Sequence, residues 1–329
     1  MKIALDAMGS DRAPGVEVEG AIRAVKELGH DVILVGDETI IKEELKRYEW
    51  ASDKISIVHA PERIAMHDAA AISVRRKRHS SIVVGLELLK NKEADGFVSA
   101  GNTGAVVCAA VISLRLLPGI ERPGIAVVYP TLTGIAVIID VGANIAPEAI
   151  HLLQYGIMAD AYCKYILHKP NPTVGLMNIG EEDSKGTGII KEAHTLLSES
   201  KLNFVGNIEG REVHSGKVDI VLCDGFIGNI IVKISETVAD TLFKALKQEI
   251  KSNFLATLGA ILTMPAFKKL KKNLDPSEHG GAPLLGIDGT CIISHGSSDA
   301  KAIKNAIKVA AEFTRQGVNK YIAEELASY

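Results

Sequence analysis

The chain has 329 residues, 47% of them hydrophobic, with 37 Lys and Arg against 40 Asp and Glu, a net charge of -3. That length allows a large buried core, in one lobe or two. The charge balance lacks the basic excess of a nucleic-acid binder, so no nucleic-acid partner is expected.

Short β-rich runs alternate with helical periods along the chain. The first strand, Lys2 to Leu5, ends at Asp6 and leads through Gly9 and Ser10 into a helix over Gly15 to Leu28. Strands follow at Asp31 to Val35 and Ile55 to His59, then a helix at Ser81 to Leu89 and a strand at Gly96 to Ser99. Further strands are expected at Ile125 to Val128, Ile135 to Asp140, Val174 to Asn178, Asn203 to Gly206, Asp219 to Leu222 and Cys291 to Ser294. Helices at Pro147 to Ile166 and Lys185 to Glu199 fill two of the gaps. Near-continuous apolar strands separated by helices predict an α/β fold with a mainly parallel sheet covered on both faces. No polar linker divides residues 1–329, so a single unit of two lobes sharing a sheet is expected.

The N-terminus is a strand broken by Asp6, unlike a signal peptide. The two longest uncharged runs, Gly96 to Leu114 and Pro123 to Ile139, are interrupted by turn residues and too broken to span a bilayer. A cytoplasmic protein is expected. Its four cysteines, Cys108, Cys163, Cys223 and Cys291, are scattered through apolar segments and form no CxxC pair. No metal-ligand spacing occurs, and neither a metal nor another cofactor is expected.

The sharpest local signal is Gly101-Asn102-Thr103-Gly104, which joins the strand at 96–99 to an apolar helix. Main-chain N–H groups there, with the positive end of the helix dipole, suit a phosphate or a developing oxyanion. The loop has no lysine of its own, so it is not a Walker P-loop. An ordinary βα turn with an Asn–Thr cap is the alternative. Polar, glycine-bearing strings also follow the strands ending near Leu5, Asp140, Asn178, Gly206, Leu222 and Ser294, where open α/β sheets bind ligands.

Long strings in order resemble the bacterial phosphate acyltransferase (PlsX) family: ALDAMGSDRAP, RRKRHSS, VSAGNTGA, ERPGIAV, NIGEEDSKG, FVGNIEGRE, VDIVLCDGFIGN, GGAPLLGIDG and ISHGSSDAKAIKNAI. Ser10 and Gly186-Thr187-Gly188 depart from the family wording. The resemblance implies a three-layer α/β/α sandwich, similar to isocitrate and isopropylmalate dehydrogenases and to phosphotransacetylase. It implies transfer of a long-chain acyl group from acyl carrier protein to inorganic phosphate, giving acyl phosphate for membrane phospholipid synthesis. The product would feed a glycerol-3-phosphate acyltransferase of the membrane. It also implies a homodimer.

For such chemistry Gly101, Asn102, Thr103 and Gly104 are the candidate donors to phosphate or oxyanion, through backbone N–H groups and the Asn102 and Thr103 side chains. Lys185, in a glycine-flanked loop before a helix, offers a cation to phosphate, or is a solvated lysine. His295 is a candidate proton carrier or a buried strand-end histidine. Asn229, after Cys223-Asp224-Gly225-Phe226, either orients phosphate or caps the helix that follows it. Cys223 invites a thioacyl intermediate, but its strand position favours core packing.

The basic run Arg75, Arg76, Lys77 and Arg78 fits docking of the acidic carrier protein, or a solvated helix face. From Lys244 to Lys272, seven lysines flank the uncharged stretch 252–267. A projecting helical hairpin over 232–275 is expected, interrupted at Gly259 and Pro265. Its apolar tip, with Leu258, Ile261 and Leu262, fits peripheral membrane contact or dimer packing. Rival readings are a nicotinamide-dependent dehydrogenase, for which no GxGxxG follows a strand, a phosphotransacetylase using coenzyme A, and a non-catalytic carrier-recruiting module.

Overall fold

The computed structural model describes residues 1–50, 53–252, 254–273, 278 and 280–327. The strands are β1 (Lys2–Asp6), β2 (Asp31–Gly36), β3 (Ile55–His59), β4 (Gly96–Ser99), β5 (Gly124–Thr131) and β6 (Gly134–Ile139). They continue with β7 (Thr173–Met177), β8 (Asn203–Ile208), β9 (Ile220–Leu222), β10 (Ala282–Leu285) and β11 (Cys291–Ile293). The helices of the first half are α1 (Gly15–Leu28), α2 (Glu38–Leu45), α3 (Ala70–Arg76), α4 (Ser81–Lys90) and α5 (Thr103–Leu114). Those of the second half are α6 (Ala149–Tyr165), α7 (Gly188–Ser198), α8 (Gly210–Ser215), α9 (Gly225–Ser252), α10 (Phe254–Asn273), α11 (Ala300–Gln316) and α12 (Val318–Leu326).

Among the described residues the strands form one sheet in the order β3-β2-β1-β4-β11-β10-β5-β6-β9-β7-β8. Pairing is parallel within β3 to β11 on one side and within β6 to β8 on the other. Between them β10 and β5 are antiparallel insertions. The two parallel halves therefore run in opposite directions. The short β10, Ala-Pro-Leu-Leu between Gly281 and Gly286, carries a proline and no alternation, and it was not among the expected strands.

Each half buries both faces of its strands, as continuous apolar runs require. Alternate residues of β1 and β2, Ile3, Leu5, Val32 and Leu34, pack with α1 and α11. The others, Ala4, Ile33 and Val35, pack with α4 and α5. In the second half Val137, Ile139, Val174 and Leu176 face α6, while Ile138, Val221 and Ile208 face α8 and α9. The result is the expected three-layer α/β/α arrangement. Helix α1 shows how sequence dictates the packing: Val18, Ala21, Ile22 and Val25 make one apolar stripe, and Gly29 in the left-handed region ends the helix. Where α1 crosses α11, a Cβ on Gly20 would lie 2.6 Å from Ile303 Cβ, so glycine permits the approach.

Two boundaries differ from expectation. Helix α7 begins at Gly188, because Thr187 Oγ1 caps Ile190 N–H and Gly186 takes φ +87, leaving Lys185 in the preceding loop. The hairpin is longer than 232–275 suggested at its start: α9 runs unbroken from Gly225 for 28 residues, about 42 Å. Pro265 lies inside α10 instead of ending it, and Gly259 is likewise helical.

Candidate active site

The polar strand ends sort into two hydrogen-bonded groups. The first forms where β1, β4 and β11 end side by side, with Leu5 opposite Val98 and Ser99 opposite Ile293. The chain leaving β1 folds over this edge. Asp11 N–H donates to Gly296 O at 2.9 Å, and Arg12 Nη2 donates to Ser298 O at 2.9 Å. Arg63, from the segment after β3, donates to Ser10 O at 2.9 Å. Four loops, around residues 6–12, 62–68, 99–104 and 295–299, thus enclose the start of α5.

The 101–104 turn is organised by its own asparagine. Asn102 Oδ1 caps Ala105 N–H at 3.0 Å, while Nδ2 donates to the carbonyls of Ala65, Met66 and Asp68. Every polar atom of that side chain is engaged, so it clasps the 62–68 loop and does not offer the side-chain donor anticipated for a ligand. Gly101 N–H is also engaged, donating to Ser99 Oγ at 3.0 Å. Among the described residues the backbone N–H groups of Asn102, Thr103 and Gly104 have no acceptor. Thr103 and Gly104 are exposed. Three donors at the positive end of a 12-residue helix suit an anion.

Two arginines sit on the loops at this sheet edge. Arg12 and Arg63 were not singled out from sequence. Arg12 sits within ALDAMGSDRAP but had no spacing to mark it, and Arg63 lies in an unremarkable loop. His295 is exposed, not a buried strand-end residue. Its Nδ1 accepts Ser297 N–H at 3.2 Å and lies 2.7 Å from Ser297 Oγ. Accepting a backbone N–H requires the Nδ1 lone pair, which places the proton of neutral His295 on Nε2.

Beneath the loops lie two buried acids. Asp6 accepts Met8 N–H at 3.1 Å and Ser99 Oγ–H at 2.7 Å. Glu17 Oε1 accepts Ser10 N–H at 2.9 Å, while Oε2 has no hydrogen-bond partner among the described residues. Burial raises the Asp6 carboxyl above its ordinary range and pushes Glu17 up to about 7.

The second group gathers at the ends of β6, β9 and β7. Buried Asp140 accepts four backbone N–H groups, from Ile125, Gly142, Ala143 and Asn144. Gly225 N–H donates to Asn144 O at 2.7 Å, fixing the start of α9 against this loop. The cap of α9 is Asp224, whose Oδ1 accepts from Phe226 and Ile227; Asn229 lies within the first turns, half-buried, its side chain without a hydrogen bond among the described residues. Cys223 is buried against Asp140 O, and burial raises its thiol well above the usual value, the state of a core thiol. Lys185 is exposed at the end of β7, and no hydrogen bond or ion pair joins it to the 101–104 turn. Six strand spacings, about 29 Å, lie between β4 and β7. The structure does not join Lys185 or Asn229 to His295.

Arg75, Arg76 and Arg78 are exposed at the end of α3. Lys77 is half-buried and donates to Arg63 O and Asp68 Oδ2, which braces the 62–68 loop and takes it out of the docking set. On the hairpin, Ile261 and Leu262 are exposed, the latter 84%, while the Leu258 side chain lies outside the described residues. An apolar stripe along α9, including Phe226, Ile230, Ile234, Val238, Leu242 and Leu246, is also exposed. Among the described residues no helix is long and apolar enough to cross a membrane, and no cluster of His, Cys, Asp and Glu could hold a metal.

Comparison with known proteins places this fold and this sequence. The fold resembles a phosphotransacetylase from Streptococcus pyogenes, with a TM-score of 0.65 and 17% identity over 96% of this chain and 94% of that one. The EutD phosphotransacetylase from Staphylococcus aureus superposes with a TM-score of 0.62 and 15% identity over 95% and 94%. At sequence level, the phosphate acyltransferase of Geotalea daltonii is 46% identical over 99% of this chain and 94% of its own length. That of Dictyoglomus turgidum is 50% identical over 99% and 98%. A family model described as fatty acid synthesis protein matches residues 1–321. Close identity over nearly the full length of both chains, on a phosphotransacetylase-like fold, means that this chain belongs to the phosphate acyltransferase family of fatty acid and phospholipid synthesis.

Proposed function

We propose that the chain moves a long-chain acyl group from an acyl carrier protein thioester to inorganic phosphate, releasing acyl phosphate and the free carrier thiol. The observation that carries this reading is the row of N–H donors on Asn102, Thr103 and Gly104 at the positive end of α5, with Arg12, Arg63 and His295 on the loops packed at the same sheet edge. Phosphate bound there needs no covalent enzyme intermediate. A phosphate oxygen attacks the thioester carbon, the C–O bond forms, and the carbonyl oxygen gathers negative charge. Collapse of that tetrahedral species breaks the C–S bond. Backbone donors stabilise phosphate or the oxyanion. The leaving thiolate takes the proton that hydrogen phosphate gives up as acyl phosphate forms, and His295 Nε2–H serves as a hydrogen-bond donor to phosphate or to the departing sulfur. Lys185 and Asn229 belong to this reading only if the second group of strand ends, or a second subunit, is brought to bear on the same substrate.

The exposed run Arg75, Arg76 and Arg78 is the docking surface for the acidic carrier protein. The uncovered apolar stripe of α9 is the homodimer surface, because an apolar face of this length needs a partner. The middle of α10, with exposed Ile261 and Leu262 two turns before the lysines 268 and 269, gives peripheral membrane contact near the membrane acyltransferase that consumes the product.

The test is incubation with palmitoyl carrier protein, with and without phosphate. Phosphate-dependent thiol release, with a new acyl phosphate resonance in the phosphorus NMR spectrum, is the expected result. Thiol release without phosphate, or activity with palmitoyl-coenzyme A alone, would overturn the donor and acceptor named.

A further inference from the structure

We propose that Asp6 is a positioning residue for the anion site, acting through Ser99 on the 101–104 turn and through Met8 on the loop that carries Arg12. The proposal rests on the reading that phosphate binds at the start of α5. Asp6 and Ser99 end the adjacent parallel strands β1 and β4, so their side chains meet by register although they lie 93 residues apart in the chain. Asp6 is fully buried and both of its carboxylate oxygens are occupied, Oδ1 by Met8 N–H and Oδ2 by the Ser99 hydroxyl. It therefore has no direct access to substrate.

The hydrogen bonds form a relay with a direction. Gly101 N–H donates to Ser99 Oγ, so the serine must turn its own proton away, and Asp6 Oδ2 is the acceptor that receives it. With Gly101 N–H held by Ser99, the next three N–H groups, at the start of the helix, are the ones left without an acceptor among the described residues. The loop after β1 is locked to the same carboxylate. A Cβ on Gly9 would lie 2.7 Å from Asp6 Oδ2 and 2.7 Å from Gly101 N, so the two turns touch backbone to backbone around Asp6. That loop then reaches the 295–299 segment through Asp11 N–H to Gly296 O and Arg12 to Ser298 O. One buried carboxylate thus sets the spacing between the backbone donors, Arg12 and the His295 loop. An acid is costly to bury, as its raised pKa shows, and a neutral residue of this size would fill the space more cheaply if packing were its only use.

Asp6→Asn keeps the volume but has one accepting oxygen where Asp6 offers two, so either Met8 N–H or the Ser99 hydroxyl faces an N–H₂ and the relay is broken. Ser99→Ala removes the middle of the relay alone. Steady-state kinetics with palmitoyl carrier protein and phosphate are measured for both variants and for the double variant, with thermal melts as the check on folding. The expected result is a phosphate KM raised at least tenfold in each, a carrier thioester KM within twofold of the parent, and a double variant no worse than the poorer single one. Non-additivity is the signature of one relay. Should Asp6→Asn not fold, the Ser99→Ala variant decides by the same split in KM. A folded variant with unchanged phosphate KM, or effects that multiply in the double variant, overturns the proposal. If the parent protein itself releases no thiol in response to phosphate, it is the proposed function that fails, not the role of Asp6 within it.

Discussion

Lys77 Nζ lies 2.7 Å from Asp68 Oδ2, and Asp68 O in turn accepts Asn102 Nδ2 at 3.0 Å. One lysine of a basic run is therefore tied, through a single loop residue, to the turn that begins α5. Its three arginine neighbours face solvent.

This separation predicts different phenotypes within one run of four residues. Arg75→Glu, Arg76→Glu and Arg78→Glu should each raise the KM for carrier thioester several-fold, more at low salt, with phosphate KM unchanged. Lys77→Ala should instead raise the phosphate KM by loosening the 62–68 loop. Kinetics at two ionic strengths separate them, and identical behaviour of all four variants would remove the distinction.

Gly104 is open on its solvent side, and a Cβ there would meet Ala70 Cβ at 3.1 Å. Gly104→Val should fold, since no positive φ is required, but its branches would crowd the exposed donors of the turn. Losing such a donor costs ~10²–10³ in rate. A folded Gly104→Val protein with near-normal turnover would show that the turn does not bind a reacting group.

Glu17 predicts a pH dependence of stability. Burial raises its carboxyl from 4.5 to about 7 in the folded state. The native protein holds this proton longer than the unfolded chain does, so stability falls as pH rises from about 4.5 to about 7 and levels off above. The contribution is about 3 kcal/mol. Glu17→Gln, which still presents an oxygen to Ser10 N–H, should flatten that fall and gain relative stability at pH 8. Asp6 is shifted in the same direction and leaves a residual slope. Denaturant unfolding at pH 5 and pH 8 measures it; an unchanged difference between the two pH values would contradict the assignment.

The hairpin predicts two separable losses. Ile261→Glu with Leu262→Glu should reduce binding to anionic liposomes while leaving phosphate-dependent thioester cleavage in solution intact. Each nearby lysine contributes ~1 kcal/mol at such a surface, so salt should weaken the parent's binding too. Ile234→Glu with Val238→Glu, on the exposed stripe of α9, should instead shift the protein from dimer to monomer in sedimentation. If the α10 variant becomes monomeric, that stretch of α10 belongs to the dimer surface.

Much of the fold was legible because local chemistry decides it. The apolar runs of β1, β2 and β4 have one way to be buried, between helices on both faces, and Gly29 or Thr187 marks a helix end by its own backbone or side-chain geometry. The polar strand ends and the Gly101–Gly104 turn were legible for the same reason, since strand, glycine and helix follow one another within a few residues. What the chain order does not contain is which distant ends meet. The antiparallel insertion of β10 and β5 turns the second half of the sheet around, and that separates Lys185 from the turn. Asn102, read alone as a ligand donor, is consumed by three carbonyls some 34 to 37 residues earlier. Lys77, read alone as a docking cation, is consumed by Asp68. Asp6, read alone as the residue that breaks a strand, becomes the acceptor for Ser99 only when β1 and β4 lie in register. Propensity and periodicity are properties of neighbours in sequence. A hydrogen-bond partner or a buried charge is a property of neighbours in space, and only the packed sheet decides those.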